Sequence, residues 1–156
     1  MKEQSYQSAY DQAVRWLAQR AYGERELAYR LERSGVPADM RGQVLDRCRE
    51  LGYLNDQTFA NSRARVRLRR GYGPALVRAE LHHLGIDDET VEAALEATHE
   101  EMDPLLHARQ VLEKRFGPVG EEWGSLDVRE RRRRYDFLAR RGFDADVIHE
   151  VLFGTS

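Results

Sequence analysis

Cysteine is nearly absent: Cys48 is the only one in 156 residues. An internal disulfide is therefore excluded, and a reducing compartment fits the chain. Long apolar runs are also missing. The start, Met1-Lys-Glu-Gln-Ser-Tyr-Gln7, has no apolar segment of the kind a secretory signal carries, and no stretch approaches a membrane span. A soluble, cytoplasmic protein with no membrane partner is expected. Proline occurs four times, at spacings that leave room for helices and little for strands. Lysine is scarce too, with Lys2 and Lys114 against 23 arginines. A GC-rich genome produces that bias as readily as function does. Cys48 falls at helical spacing with Val44, Leu45 and Leu51, so a buried thiol is expected rather than a nucleophile.

Enzymatic patterns are equally scarce. The five histidines are His82, His83, His99, His107 and His149, with no HExxH arrangement and no companion cysteine, so no metal site is expected. Gly71-Tyr72-Gly73-Pro74 is too short for a phosphate-binding loop and no lysine follows it. No Ser/His/Asp arrangement has supporting context. No catalytic residue, no cofactor and no enzymatic activity are expected.

What is present is a repeat. Leu31–Gly35–Val36, Leu81–Gly85–Ile86 and Leu138–Gly142–Phe143 share one spacing, followed ten residues past each glycine by Leu45, Leu95 and Leu152. The first two copies lie 50 residues apart, and upstream Arg20-Ala21-Tyr22-Gly23 aligns with Arg70-Gly71-Tyr72-Gly73. A shifted third echo is Arg115-Phe116-Gly117. Self-similarity at this length marks a supersecondary unit stacked several times, an architecture that mostly serves binding.

Periodicity predicts nine helices, three per unit. The first runs near residues 6–20 with Ala9, Ala13, Trp16 and Leu17 on one face. The next spans about 24–34 and stops at Gly35, and the third starts at Pro37 and reaches Leu51. In the second unit Asp56 is the expected N-cap before Phe59, Ala60 and Ala64. Pro74 opens the next helix, and Asp87 or Asp88 caps the one after. The third unit starts near Asp103-Pro104, takes an insertion at 118–125 around Trp123, and ends in helices near 127–141 and 144–153. The expected fold is all-α, an elongated, curved array of three tandem three-helix repeats at 1–54, 55–102 and 103–156, with the loop insertion near 117–126. A helix-turn-helix core is a second way to read such a unit.

The modest net charge of −2 conceals segregation. Residues 61–80 carry Arg63, Arg65, Arg67, Arg69, Arg70 and Arg78 against Glu80 alone. Residues 129–141 carry seven arginines, including Arg131, Arg132, Arg133 and Arg134, against Glu130 and Asp136. Residues 87–103 carry eight acids and no lysine or arginine. Arg63, Arg67 and Arg70 share one helical stripe, Arg65 and Arg69 a neighbouring one, with Val66 between them. Two outcomes fit: a surface for phosphates or an acidic partner, or pairing of the basic helix with the acidic helix of its own unit. Tyr22, Tyr72 and Phe116, in corresponding positions, are expected to pack at the unit junctions rather than to stack on bases.

Three stretches carry a family resemblance. Glu50-Leu-Gly52-Tyr53-Leu54-Asn55-Asp56-Gln-Thr-Phe59-Ala60 is similar to the GYLDD..FA signature of the RecX family of bacterial recombination regulators. Gly71-Tyr72-Gly73, followed by Glu80-Leu81-His-His-Leu84-Gly85-Ile86, resembles that family's G.G…EL..KGI segment. Arg140-Arg141-Gly142-Phe143 resembles its RRGF motif. The match spans roughly residues 10–153. Asn55 stands where the family usually has Asp, Tyr22-Gly23 replaces a Ser-containing lead-in, and His82-His83 replace a basic residue before Gly85.

The resemblance implies a negative modulator of the RecA recombinase. Such a protein lies in the groove of the RecA–DNA filament, bridges protomers and inhibits ATP hydrolysis, strand exchange and filament extension. The partners implied are the RecA nucleoprotein filament and single- or double-stranded DNA, bound weakly by the chain alone, and a monomer is expected. The residues assigned to RecA and DNA contact are Arg63, Arg67, Arg69, Arg70, Arg78 and Arg131 to Arg134. Gly35, Gly85, Gly142 and Tyr53 are assigned structural roles. The alternatives are a helix-turn-helix-like DNA-binding transcriptional regulator and a scaffold that binds protein only.

Overall fold

The computed structural model describes residues 5–118 and 126–154. Among these the chain is entirely helical: α1 (Tyr6–Gln19), α2 (Glu24–Arg33), α3 (Ala38–Glu50), α4 (Asp56–Arg69), α5 (Pro74–His83), α6 (Asp88–Glu101), α7 (Pro104–Phe116), α8 (Val128–Arg140) and α9 (Ala145–Phe153). The expected all-α array of three-helix repeats is what forms. The Trp123 insertion falls at 119–125, outside the described residues.

Each unit has its own core. Ala13, Leu27, Leu31, Val44 and Cys48 fill the first; Phe59, Ala64, Leu81, Val91 and Leu95 the second; Leu112, Leu138, Phe143 and Ile148 the third. The substantial helix–helix packing lies inside the units. The junctions between units are correspondingly narrow.

The repeated Leu–Gly–apolar pattern is a helix stop. Val36 N–H donates to the Leu31 carbonyl, Ile86 N–H to Leu81 and Phe143 N–H to Leu138, each at 3.0–3.1 Å, while the intervening glycine donates to the residue after that leucine. This is the Schellman arrangement, in which the apolar residue past the glycine packs back on the leucine. Its glycine must be left-handed, and Gly85 and Gly142 have φ of +85° and +95°.

Side-chain caps account for the starts. Asn55, Asp87, Asp103 and Asp127 each accept a bond from the backbone N–H three residues on. Asn55, not Asp56, caps α4. Asp56 reaches across instead, and its Oδ1 accepts from the Glu24 N–H at 2.8 Å, so a residue of the second unit caps a helix of the first. Leu51, expected inside, is the C-cap of α3 and is exposed; Tyr53, expected to be structural, enters the same turn through its backbone while its side chain is half exposed.

The two junctions bring corresponding elements together. The N-terminus of α2 meets the α5–α6 turn, and the N-terminus of α5 meets the α8–α9 turn. At the second junction Gly73 N–H donates to the Arg141 carbonyl at 2.6 Å and Ala75 N–H to the Gly142 carbonyl at 2.9 Å. Two otherwise orphaned helix-start donors are thereby satisfied. A Cβ on Gly73 would sit 2.5 Å from the Gly142 carbonyl group. The corresponding position at the start of α8 is Asp127, which caps its own helix. The unit-one turn at Gly35 faces open space.

Candidate nucleic-acid interface

Of the two outcomes that the charge blocks allowed, α4 takes part in both. On its α5 side, Arg67 binds the Glu80 carboxylate through Nε and NH2 at 2.8 and 2.9 Å, and Arg63 reaches the same carboxylate at 3.0 Å. On its α6 side, Arg65 binds Glu101 through two bonds at 3.0 and 3.1 Å. From α5, Arg78 binds Glu92 at 2.6 and 3.3 Å. The hydrogen bonds hold the Glu101 and Glu92 carboxyls below the usual carboxylate range and raise Arg67 and Arg78 above theirs. Between the two pairing sides Val66 is exposed, and Phe59, Ala60, Ala64 and Leu68 form the buried face.

Clefts that share cationic residues open along the array. The first, about 230 Å³, lies at the junction of units one and two and is lined by Arg20, Ala21, Phe59, Ser62, Arg63, Val66, Arg67 and Arg70. Arg20 is itself paired with Glu26 at 3.0 Å. The second, about 450 Å³, spans units two and three and includes Arg69, Arg70, Lys114, Arg115 and Arg141 with Met102, His107 and Phe137. The third, about 500 Å³, is lined by Tyr72, Arg115, Phe116, Arg133, Phe137, Arg140 and Arg141. Arg70 is common to the first and second; Arg115, Phe137 and Arg141 are common to the second and third. The second and third together present seven lysine and arginine side chains, and no carboxylate lines either among the described residues.

Aromatic rings order these cations. Phe116 and Phe137 meet edge to face at 5.5 Å between centroids. The guanidinium carbons of Arg115, Arg133 and Arg134 lie 5.3, 5.5 and 5.0 Å from the Phe116 centroid. Arg141 lies 5.5 Å from Tyr72 and 5.2 Å from Phe137. These are cation–π distances, and they hold flexible side chains in place; Arg133 also lies 3.7 Å from a Glu130 carboxylate oxygen.

Tyr22 and Tyr72, aligned in sequence, part company here. Tyr22 is buried as expected, at 3% exposure, whereas Tyr72 is 36% exposed and forms a cleft wall. The cause is the residue before each. Gly71 takes φ +94° and ends α4 in the Schellman manner, with Tyr72 N–H donating to the Arg67 carbonyl at 3.1 Å. Ala21 cannot take that conformation cheaply, α1 ends in extended backbone at Arg20, and the tyrosine turns inward.

His107 ties the second cleft to the junction. It stands four residues past its N-cap, where α4 has Phe59, and its Nε2 lies 2.7 Å from the Leu68 carbonyl. Its ring is 5.1 Å from Phe143. Burial pushes the imidazole pKa down, so the neutral ring donates to Leu68.

The assigned arginines therefore divide. Arg63 and Arg67 line the first cleft but share Glu80. Arg69 and Arg70 line the second, with Arg69 near Glu101. Arg78 serves Glu92. The Arg131–Arg134 run splits around α8: Arg131 and Arg132 border a separate cleft with Val128, Leu152 and Phe153, while Arg133 and Arg134 turn to Phe116. Sequence reasoning did not assign Tyr72, Lys114, Arg115, Phe116, Phe137, Arg140 or Arg141 to the surface. The exchange of Ala21 for Gly71 between aligned copies was the available signal. No group of three or more potential metal-ligating side chains occurs among the described residues, and none of their helices is long and apolar enough to cross a membrane.

A strandless array of three-helix units with cationic clefts at its junctions defines an all-α repeat protein. The family descriptions that match are those of the first, second and third three-helix domains of RecX, over residues 9–48, 55–95 and 103–152. The chain belongs to the RecX family. It is 35% identical over 145 residues to the regulatory protein RecX of Stenotrophomonas maltophilia (strain R551-3), covering 93% of this chain and 85% of that one. It is 36% identical over 144 residues to the regulatory protein RecX of Syntrophotalea carbinolica, covering 91% and 92%. The crystal structure of RecX from Lactobacillus salivarius shares the fold with a TM-score of 0.79 at 20% identity, over 94% of this chain and 93% of that one.

Proposed function

We propose that this protein regulates RecA by binding the RecA–DNA filament, lying in its groove and restraining ATP hydrolysis, strand exchange and filament extension. Membership of a family whose named relatives are regulatory proteins supports the regulatory role. The observation that carries the filament reading is the line of connected cationic clefts along an extended three-unit array. A repeating polyanionic lattice suits such a surface, because modest contacts made by successive units combine through effective concentration. Arg69, Arg70 and Arg133 are the contact residues best placed from the expected set, while Arg63, Arg67 and Arg78 contribute after exchanging their glutamate partners.

The decisive experiment titrates this protein into RecA hydrolysing ATP on single-stranded DNA. Suppression at well under one copy per RecA protomer is expected. Unchanged hydrolysis with RecA from the same organism overturns the reading, and a sequence preference among duplexes that survives moderate salt would favour a transcriptional regulator instead.

A further inference from the structure

We infer that the cleft between units two and three is a binding site for single-stranded nucleic acid that selects unpaired bases by stacking and does not require RecA. The inference goes further into the reading above by naming the strand form and the residues that read it, and its assay contains no RecA.

Three features of the cleft point to that ligand. No carboxylate lines its walls among the described residues, whereas Arg63 and Arg67 share Glu80; Arg133 reaches back to Glu130 at 3.7 Å, an exposed pair that a phosphate can displace. Its aromatic surface is accessible, because the left-handed Gly71 turn delivers Tyr72 to solvent beside Phe116 and Phe137. Finally, guanidinium planes are already ordered over rings, as Arg141 is over Tyr72 and Phe137.

A groove that combines backbone-tracking cations with rings and guanidinium faces is the arrangement that binds single strands without regard to sequence. An acidic peptide would use the charges but gain nothing from Tyr72. A duplex would meet the charges with its phosphates while its paired bases stay stacked on each other. The lining runs from Arg69 through Arg115 to Arg140, so a strand crossing it touches both units.

The test measures fluorescence anisotropy of a labelled oligo(dT) and of a duplex of equal length, with the full chain and no RecA, across a salt series. Tighter binding of oligo(dT) than of the duplex is expected. Tyr72→Leu should weaken oligo(dT) binding about 5- to 100-fold with little change in salt dependence, which is the range for one lost stacking platform. Tyr72→Phe should retain binding, and Tyr29→Leu, at a still more exposed tyrosine of unit one, should leave it unchanged. Arg133→Gln and Arg140→Gln should each reduce the slope of log affinity against log salt by about 0.7. Photocrosslinking from 5-iodouracil in the oligonucleotide should label Tyr72 or Phe116.

Equal affinity for strand and duplex together with an indifferent Tyr72→Leu overturns the inference, as does displacement of oligo(dT) by polyglutamate at matched charge. Oligo(dT) binding without any effect on RecA hydrolysis would leave this site standing and remove the RecA reading. The converse result would do the reverse.

Discussion

The two unit junctions are built on one plan and differ in what they leave open. Between units one and two the cleft is about 230 Å³, Arg63 and Arg67 share Glu80, Arg20 is held by Glu26, and Tyr22 is buried. Between units two and three the clefts are about 450 and 500 Å³, no carboxylate lines them among the described residues, Arg115 and Arg141 lean on rings, and Tyr72 faces solvent. One junction is a closed joint and the other a joint with a mouth. The change from Ala21 to Gly71 places the tyrosine, and the presence or absence of a facing acid decides whether the charge is available. Repetition of a fold thus leaves each copy free to specialise through a few positions that do not carry its core.

The largest effect expected is at the turn that plugs the second junction. Gly142→Ala would force φ +95° on a side chain and set its Cβ 2.7 Å from the Leu76 nitrogen. A loss of about 3 kcal/mol is expected by urea unfolding, from backbone strain plus overpacking. Gly35→Ala has the same handedness but open space, so only the strain remains, about 1 kcal/mol. Equal losses would show that the junction contact adds nothing.

Gly71→Ala should make the second junction resemble the first. It sacrifices the left-handed stop of α4 at a cost of about 1–2 kcal/mol. The observable consequence is a Tyr72 ring less accessible to acrylamide quenching, with weaker oligonucleotide binding. An unchanged Tyr72 environment would detach the tyrosine's placement from that glycine.

Glu80→Gln sharpens the contrast from the other side by releasing Arg63 and Arg67 into the first cleft. The pairs are only a quarter exposed, yet the stability change is expected to stay within about 1 kcal/mol, because one carboxylate between two arginines near the surface contributes modestly. Polyanion affinity should rise and its salt slope steepen by about 0.7 for each phosphate newly contacted. No change in slope would mean that the first cleft takes no part in anion binding.

The smallest effect expected concerns His107. Its pKa is lowered by burial from an ordinary value of 6.5, so the unfolded chain binds the proton more readily than the folded one. The stability from this group is complete above about pH 6.5 and declines as pH falls through the folded pKa. His107→Phe, matching Phe59, should flatten that part of the stability–pH curve.

Much of the fold was readable because its signals are local. Leu31, Leu81 and Leu138 with their glycines announced three identical helix stops, and Pro74, Asp87 and Asp103 announced starts. The Asp56 cap was misplaced by one residue because Asn55 and Asp56 are both competent caps, and only the neighbouring unit gives Asp56 another partner. The candidate site was less legible. For Arg63, Arg67 and Arg78 the sequence leaves partner contact and internal pairing both open, since Glu80 and Glu92 lie 13 to 17 residues away on other helices. Arg115, Phe116 and Phe137 read as helix ends and core, although they converge with Tyr72 from different helices.

Amino-acid order alone settled the number of units, where each helix stops, and the segregation of charge, because capping, handedness and periodicity act over a few residues. Packing in three dimensions settled which charges cancel and which rings stay exposed. Those outcomes depend on distances between helices tens of residues apart, and no local pattern encodes such distances.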